Sequence, residues 1–141
     1  MRLFLDANVL FSAAWSSGSR LEILFALADA GLCVLTSSAF AIDEAQRNLA
    51  TKRPESLQRL AELLVLVERV PEAAASECRW AVEQGLPPKD APILAAARQA
   101  GADVLLTGDA THFGHLYDSP VGGMRILRPA DALALLLDAT E

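Results

Sequence analysis

Cysteine is scarce in this sequence, and both cysteines stand in apolar or helix-like surroundings. Cys33 lies in an apolar run, and Cys78 lies in a stretch with helical spacing. Two isolated cysteines of this kind do not form a disulfide framework, and they do not provide the ligand pattern of a zinc site. We expect free thiols in a reducing compartment.

Long apolar runs are also missing. No stretch approaches the ~20 residues that a membrane-spanning helix needs. Asp6 and Asn8 interrupt the apolar residues near the N-terminus, where a secretory signal would have its core. We therefore expect a cytoplasmic protein that does not bind membranes.

Positive charge is in deficit. The chain has 12 Lys and Arg against 18 Asp and Glu, for a formal net charge of −6. This balance argues against the capture of nucleic acid by bulk electrostatic attraction. Four basic residues lie close in sequence, and we interpret them as a solvated helical face rather than a phosphate-contacting rim: Arg47, Lys52, Arg53 and Arg59.

Aromatic residues make up only 6% of the chain and hydrophobic residues 52%, as expected for aliphatic helices packed on a sheet. At 141 residues, the chain fits one domain spanning 1–141. Short apolar strands alternate with amphipathic helices, which predicts an α/β fold with a central, mostly parallel sheet of about four to five strands flanked by helices on both faces. The predicted strands are 2–5, 32–35, 67–70, 103–106 and 124–127, and the predicted helices are 20–30, 38–50, 54–64, 71–84, 90–100 and 129–137.

Acidic residues stand where predicted strands end and helices begin. Asp6 follows the first strand, Asp90 begins a helix, and Asp109 follows a strand and a glycine. The crevice outside the carboxyl ends of parallel strands is where ligands bind in such folds. Carboxylates that converge there repel one another. A hard divalent cation such as Mg²⁺ or Mn²⁺ neutralises their charge, and it prefers oxygen ligands.

The residues alone leave alternatives open. Asp90 could act only as a helix N-cap, which stabilises by ~1 kcal/mol, and Asp109 could be an ordinary turn residue. A further acid on the helix 38–50 is either Asp43 or Glu44. The two point about 100° apart on a helix, so both cannot face the crevice, and spacing barely favours Glu44.

Four segments together resemble the PIN-domain ribonucleases, in the bacterial branch of VapC-like toxins. They are Leu3 to Leu10 (LFLDANVL), a mid-chain Glu44, Pro88 to Ala97 (PKDAPILAAA) and Ala102 to Asp109 (ADVLLTGD). The resemblance runs from Met1 to about Leu127 and implies a PIN-like nuclease domain. It also implies an endoribonuclease that depends on Mg²⁺ or Mn²⁺.

The resemblance assigns roles to residues of this chain. It implies that four acids are catalytic and bind the metal, which selects Glu44 over Asp43, and that two polar residues support them through hydrogen bonds. The acids are Asp6, Glu44, Asp90 and Asp109, and the supporting residues are Asn8 and Thr107. The implied partners are a single-stranded or structured RNA substrate, an antitoxin protein and a second copy of the chain.

With no nucleophilic Ser or Cys and no well-placed His in the sequence, we expect no covalent route, and a metal-activated water to attack the phosphodiester. Thr111 stands where many members of the family carry a further acid. The next residue, His112, could contact the substrate, but we interpret it as a surface-loop histidine without such a role. We place His115 in a loop, and we interpret Trp15 as a packing residue rather than a base-stacking one.

Two other functional classes fit part of the pattern. The missing acid and the negative net charge are compatible with a catalytically weak or inactive PIN-fold module that acts by binding protein or RNA. A haloacid-dehalogenase phosphatase needs a second aspartate where Asn8 stands, which argues against this class. Phosphate-binding Gly-x-x-x-x-Gly-Lys-Ser/Thr and Gly-x-Gly-x-x-Gly motifs do not occur.

Overall fold

The centre of the molecule is a sheet of five parallel strands. The computed structural model describes residues 1–117 and 119–139. The strands are β1 (Arg2–Leu5), β2 (Val34–Ser38), β3 (Val67–Val70), β4 (Val104–Leu106) and β5 (Arg125–Leu127), and their order across the sheet is β3-β2-β1-β4-β5. Each neighbouring pair is parallel. The predicted α/β fold and the size of its sheet are confirmed.

Eight α-helices occur in the described residues. They are α1 (Ala7–Trp15), α2 (Leu21–Asp29), α3 (Ala39–Lys52), α4 (Leu57–Leu64), α5 (Ala75–Glu83), α6 (Ala91–Gln99), α7 (Ala110–Phe113) and α8 (Pro129–Ala139). Three successive residues of β1, Leu3, Phe4 and Leu5, are completely buried. Because successive strand residues point to opposite faces, helices must cover both sides of the sheet. Among the described residues, no helix has the length and apolar character needed to cross a membrane.

The strand order creates a crevice next to β1. The chain leaves β1 for β2 and β3 on one side, and later adds β4 and β5 on the other side. Ligands bind at such a switch point in α/β folds, outside the carboxyl ends of the strands. Leu5 of β1 pairs with Leu106 of β4, so the next residues, Asp6 and Thr107, emerge at the same edge of the sheet.

Helix α1 was not predicted as a helix. Its residues Val9, Leu10, Ala13 and Ala14 are buried, and the helix packs against α3 and α4. The segment is apolar on most of its surface, so it lacks the alternation of polar and apolar faces on which helix prediction depends. The helix begins directly after Asp6.

Strand β2 begins and ends later than predicted, at Val34–Ser38 rather than at 32–35. Leu32 lies in the turn that follows α2, where its amide donates to the carbonyl of Leu27 in the last turns of that helix at 2.9 Å. The strand continues through polar residues because their hydroxyls find partners on β1. Thr36 donates to the carbonyl of Leu3 at 3.1 Å, and Ser37 donates to the carbonyl of Leu5 at 2.8 Å.

Other boundaries also differ from the prediction. Helix α5 begins at Ala75, four residues after the predicted start at Pro71, and the preceding amide of Ala74 donates to Gln99 Oε1 at 2.8 Å instead of entering a helix. Cys33 and Cys78 are free thiols, Cys33 buried and Cys78 half-buried. The predicted domain 1–141 also includes Asp118, Thr140 and Glu141, which lie outside the described residues.

Candidate active site

A cleft of about 310 Å³ opens at the carboxyl edge of the sheet. The four predicted acids line it, although they come from four separate parts of the chain: Asp6, Glu44, Asp90 and Asp109. The other lining residues are Ala7, Asn8, Phe11, Asn48, Lys52, Lys89 and His112. The structure thus brings the predicted acids to one surface.

Asp6 is the most buried of these acids, with 6% of its surface exposed. It is the N-cap of α1, and its Oδ1 accepts the amide of Ala7 at 2.7 Å. Burial raises the pKa of its carboxyl from 3.8 to about 6, against the opposing effect of hydrogen bonds from Thr107 and Ala7. The charges of Glu44 and Asp109 raise this pKa further. The cleft therefore contains a carboxylate that lacks a compensating positive charge.

Asn8 and Thr107 connect the ends of β1 and β4. Both donate to Asp6 Oδ2, Thr107 from its hydroxyl at 2.8 Å and Asn8 from its amide at 3.0 Å. The Oδ1 of Asn8 accepts the backbone amide of Gly108 at 2.8 Å, and the hydroxyl of Thr107 accepts that of Asp109 at 3.1 Å. These bonds orient Asp6 and fix the turn that carries Asp109.

Asp90 and Asp109 face each other across His112. Asp109 is the N-cap of α7, where its Oδ1 accepts the amide of His112 at 3.2 Å. Asp90 occupies the N-cap position of α6, but its side chain accepts no capping hydrogen bond. Its Oδ2 is buried and has no hydrogen-bond partner among the described residues, although His112 Nδ1 lies 3.3 Å away. A buried carboxylate oxygen without a donor is suited to a cation.

His112 is not the surface-loop residue that was predicted, and its side chain lines the cleft. The residue lies in α7, is half-buried, and its Nδ1 is 2.8 Å from Asp109 Oδ2. One ligand atom from each of Asp90, Asp109 and His112 can be chosen so that all three lie within 4.8 Å of one another. The three-residue spacing from Asp109 was the available signal, since residues i and i+3 share a helix face, but α7 is too short to be recognised from its pattern.

Glu44 lies on α3 and is more exposed than Asp6. It lines the cleft, whereas Asp43 lines a separate shallow surface with Phe40, Gln46 and Arg47. The two neighbours point in different directions, as helix geometry requires. This difference makes Asp43 a matched control for Glu44.

The basic residues near α3 do not form the single solvated face that was predicted. Lys52 lines the cleft, as does Lys89 from the turn before α6. Arg59 is partly buried: it donates to the carbonyl of Ala13 at 3.2 Å and pairs with Glu22. Two ammonium groups at the rim of an acidic cleft can contact a phosphate-bearing ligand.

Trp15 is a packing residue, as predicted. It is half-buried against the core, and its ring centroid lies 5.3 Å from that of Phe11. The guanidinium of Arg53 lies over the same ring at 5.0 Å. No part of Trp15 lines the cleft in the described residues.

His115 lies in a short 3₁₀ turn after α7, where a plain loop was predicted. Its Nε2 is 2.9 Å from the carbonyl oxygen of Gln84. This contact connects the turn that precedes Asp90 with the segment that carries Asp109 and His112. His115 itself does not line the cleft.

The fold of this chain is similar to several solved structures. The fold is similar to PAE2754 from Pyrobaculum aerophilum (TM-score 0.70, 19% identity, 98% of this chain and 96% of that one). It is also similar to VapBC2 from Rickettsia felis, described as bound to a DNA fragment from its promoter (TM-score 0.65, 18% identity, 91% and 98%). A third relative is VapC20 from Mycobacterium tuberculosis, described as a sarcin-ricin loop cleaving toxin (TM-score 0.54, 16% identity, 77% and 92%).

No curated protein matches the sequence. A family model described as PIN domain matches residues 2–111, which is most of the chain. The matched segment contains the four acids, Asn8 and Thr107. The resemblance seen in the sequence is confirmed, and the chain belongs to the PIN domain family.

Proposed function

We propose that this protein is a metal-dependent endoribonuclease that hydrolyses RNA phosphodiester bonds, and that it acts as the toxin of a toxin–antitoxin pair. One observation carries the proposal. Carboxylates from four distant segments line a single cleft, at the edge of the sheet where α/β folds bind ligands. Membership of the PIN domain family supports the same conclusion. We also propose that residues 1–141 act as one nuclease domain.

The ligand atoms of the cleft suit Mg²⁺ or Mn²⁺. Carboxylate oxygens are hard donors, and the unpaired Oδ2 of Asp90 is available as a ligand. Two lysines at the rim, Lys52 and Lys89, carry the charge that a phosphodiester backbone needs for binding. When bound, a divalent cation would supply the positive charge that lowers the pKa of an attacking water.

The proposed roles follow from the position of each residue. Asp6 and Asp109 would hold the cation, since Asp6 is a buried carboxyl of the cleft and Asp109 lines the same cleft from the N-cap of α7. Asp90 and Glu44 bind directly or through waters, or accept the proton of the attacking water. Asn8 and Thr107 keep Asp6 oriented through their hydrogen bonds. No Ser, Thr or Cys side chain lines the cleft in the described residues, so a covalent intermediate is not part of this proposal.

The toxin role rests on resemblance. VapC20 is described as a cleaving toxin, and VapBC2 was described with promoter DNA. We propose an antitoxin that binds this chain and blocks the cleft. A homodimer is proposed on the family resemblance alone. Co-expression with a neighbouring small open reading frame tests the first partner, and light scattering of the purified chain tests the second.

Cleavage of an RNA pool tests the enzymatic proposal. The purified chain should degrade RNA with Mg²⁺ or Mn²⁺ and not with EDTA. Asp6→Asn and Asp90→Asn should abolish cleavage while the circular dichroism spectrum stays that of the folded protein. Asp43→Asn, outside the cleft, should retain activity. Full activity in either cleft variant would contradict the proposal, and metal binding without cleavage would favour the binding module over the enzyme.

A further inference from the structure

We propose that the imidazole of His112 is a direct ligand of the divalent cation, together with Asp90 and Asp109, and that it makes the site prefer Mn²⁺ to Mg²⁺. This inference rests on the proposed metal-dependent function of the same cleft. It goes beyond that function by naming a nitrogen ligand and the ion that the ligand selects.

The distances around His112 are those of a coordination shell. Its Nδ1 lies 2.8 Å from Asp109 Oδ2 and 3.3 Å from Asp90 Oδ2. In an octahedral shell with bonds of about 2.1 Å, adjacent ligand atoms are separated by about 3.0 Å. The distances from Nδ1 to the two carboxylate oxygens therefore fit those between neighbouring ligands of one cation, and one ligand atom of each residue lies within 4.8 Å of the others.

Hydrogen bonding explains only half of this arrangement. The contact with Asp109 fits a hydrogen bond from the ring to the carboxylate. The contact with Asp90 does not, because Asp90 Oδ2 has no hydrogen-bond partner in the part of the chain that the structure describes. Asp90 Oδ2, Asp109 Oδ2 and His112 Nδ1 would together offer a shared cation two oxygen ligands and one nitrogen ligand.

The backbone holds His112 in this position. Its amide donates to Asp109 Oδ1 at 3.2 Å, and the next residue, Phe113, is buried in the core. Thr111, the preceding residue, is exposed. The short helix α7 thus presents a ring nitrogen to the cleft, although no acid stands at position 111.

A nitrogen ligand changes the selectivity of the site. Carboxylates suit Mg²⁺, Ca²⁺ and Mn²⁺ alike, whereas imidazole suits transition-metal ions. Mg²⁺ also keeps several waters and binds through only one or two carboxylates. A site of several carboxylates and one imidazole therefore discriminates in favour of Mn²⁺, which accepts both kinds of ligand.

Electron spin-echo spectroscopy of the Mn²⁺-loaded protein tests the bond itself. A nitrogen bound to Mn²⁺ modulates the echo, and we expect this ¹⁴N modulation in the wild type. His112→Ala should remove it and His115→Ala should retain it, and these are the only two histidines of the chain. Absence of ¹⁴N modulation in the wild type, or its survival in His112→Ala, would overturn the inference.

Calorimetric titration tests the selectivity. We expect His112→Ala to weaken Mn²⁺ binding by about tenfold or more, and Mg²⁺ binding by much less. His112→Asp restores a hard oxygen ligand, so it should recover Mg²⁺ affinity and lower the Mn²⁺ to Mg²⁺ ratio. Equal losses for both ions in His112→Ala would assign His112 to hydrogen bonding alone and overturn the inference.

The two proposals fail in different ways. RNA cleavage by a wild type without ¹⁴N modulation would reject the role of His112 and keep the nuclease. Modulation in a protein that never cleaves RNA would reject the nuclease and keep the ligand. A wild type that binds neither ion would reject both the ligand and the metal dependence.

Discussion

The hydroxyl of Thr107 donates a 2.8 Å hydrogen bond to Asp6 Oδ2, although the two residues are 101 positions apart. Both follow directly on paired strands, since β1 ends at Leu5 and β4 ends at Leu106. Thr107 is completely buried and also receives the backbone amide of Asp109. One hydroxyl therefore stabilises the charge of one acid and positions another.

Thr107→Val removes this hydroxyl and keeps the shape of the side chain. Because a hydrogen bond to a carboxylate is lost in a buried site, we expect the free energy of unfolding at pH 8 to fall by about 1–3 kcal/mol. The pKa of Asp6 should rise further, so cleavage should require a higher pH. Urea unfolding and the pH profile of cleavage measure the two effects.

The matched control is Thr111→Val, which makes the same change at an exposed position four residues away. Its effect on stability should stay within about 0.5 kcal/mol. Equal effects of the two substitutions would show that the bond between Thr107 and Asp6 does not stabilise the fold.

The raised pKa of Asp6 predicts a specific pH dependence of stability. Its folded pKa of about 6 exceeds the ordinary 3.8, so the folded state binds more protons between these values. Stability from this group is therefore greatest below about pH 4, decreases as the pH rises to about 6, and is level above that. The free energy of unfolding should fall by at most about 3 kcal/mol over this pH range because of Asp6.

Asp6→Asn isolates this contribution. The variant loses an acceptor at every pH, but it lacks the titrating group. Without metal, the wild type should lose stability relative to the variant as the pH rises. The free energy of unfolding of the variant minus that of the wild type should therefore increase by up to about 3 kcal/mol from pH 4 to pH 8. Adding Mn²⁺ at pH 8 should stabilise the wild type more than the variant. A difference that does not change with pH would contradict the raised pKa.

Glu44→Gln separates a role in the cleft from a role in folding. Glu44 is exposed, so the free energy of unfolding should change little, within about 0.5 kcal/mol. If it binds the cation or its waters, cleavage should fall by about 10–100-fold. Since the charge of Glu44 raises the pKa of Asp6, residual activity should also persist to lower pH.

Asp43→Asn is the control, because it removes the neighbouring charge from a residue outside the cleft. Initial rates of cleavage at saturating Mn²⁺ measure both variants. If the two lose activity equally, the general charge of α3 is responsible rather than a ligand at Glu44.

Local pattern was enough for most of the fold. Short apolar strands, glycines after helices and prolines at helix starts predicted the five strands and six of the eight helices within a few residues. The two missed helices carry weak local signals. Helix α1 is apolar on most of its surface, and α7 has only four residues.

Tertiary contacts account for the rest. The hydroxyl of Ser37 donates to the carbonyl of Leu5, so β2 continues through a polar residue. The local sequence pattern predicted that the strand would end before Ser37. The convergence of the acids depends on the strand order, which follows from packing rather than from spacing. The contacts of His112 with Asp109 and Asp90 involve two distant segments of the chain, so the sequence of one segment could not predict them.

The turn before Asp90 should be sensitive to substitution at Gly85. This glycine has φ +86°, and a Cβ there would lie 2.9 Å from His115 Nε2. Gly85→Ala should therefore combine backbone strain of about 1–2 kcal/mol with a steric effect. Gly101→Ala has a comparable φ of +72° and nothing within 4 Å of the added Cβ, so it should show the strain alone.

Urea unfolding of both variants, each with and without His115→Ala, separates the two effects. We expect Gly85→Ala to lower the unfolding free energy more than Gly101→Ala does, and His115→Ala to reduce that excess. His115→Ala removes the bond to the Gln84 carbonyl in both glycine variants, so this loss cancels in the comparison. If the excess persists without His115, the strain lies in the turn itself and not in the contact between position 85 and the His115 ring.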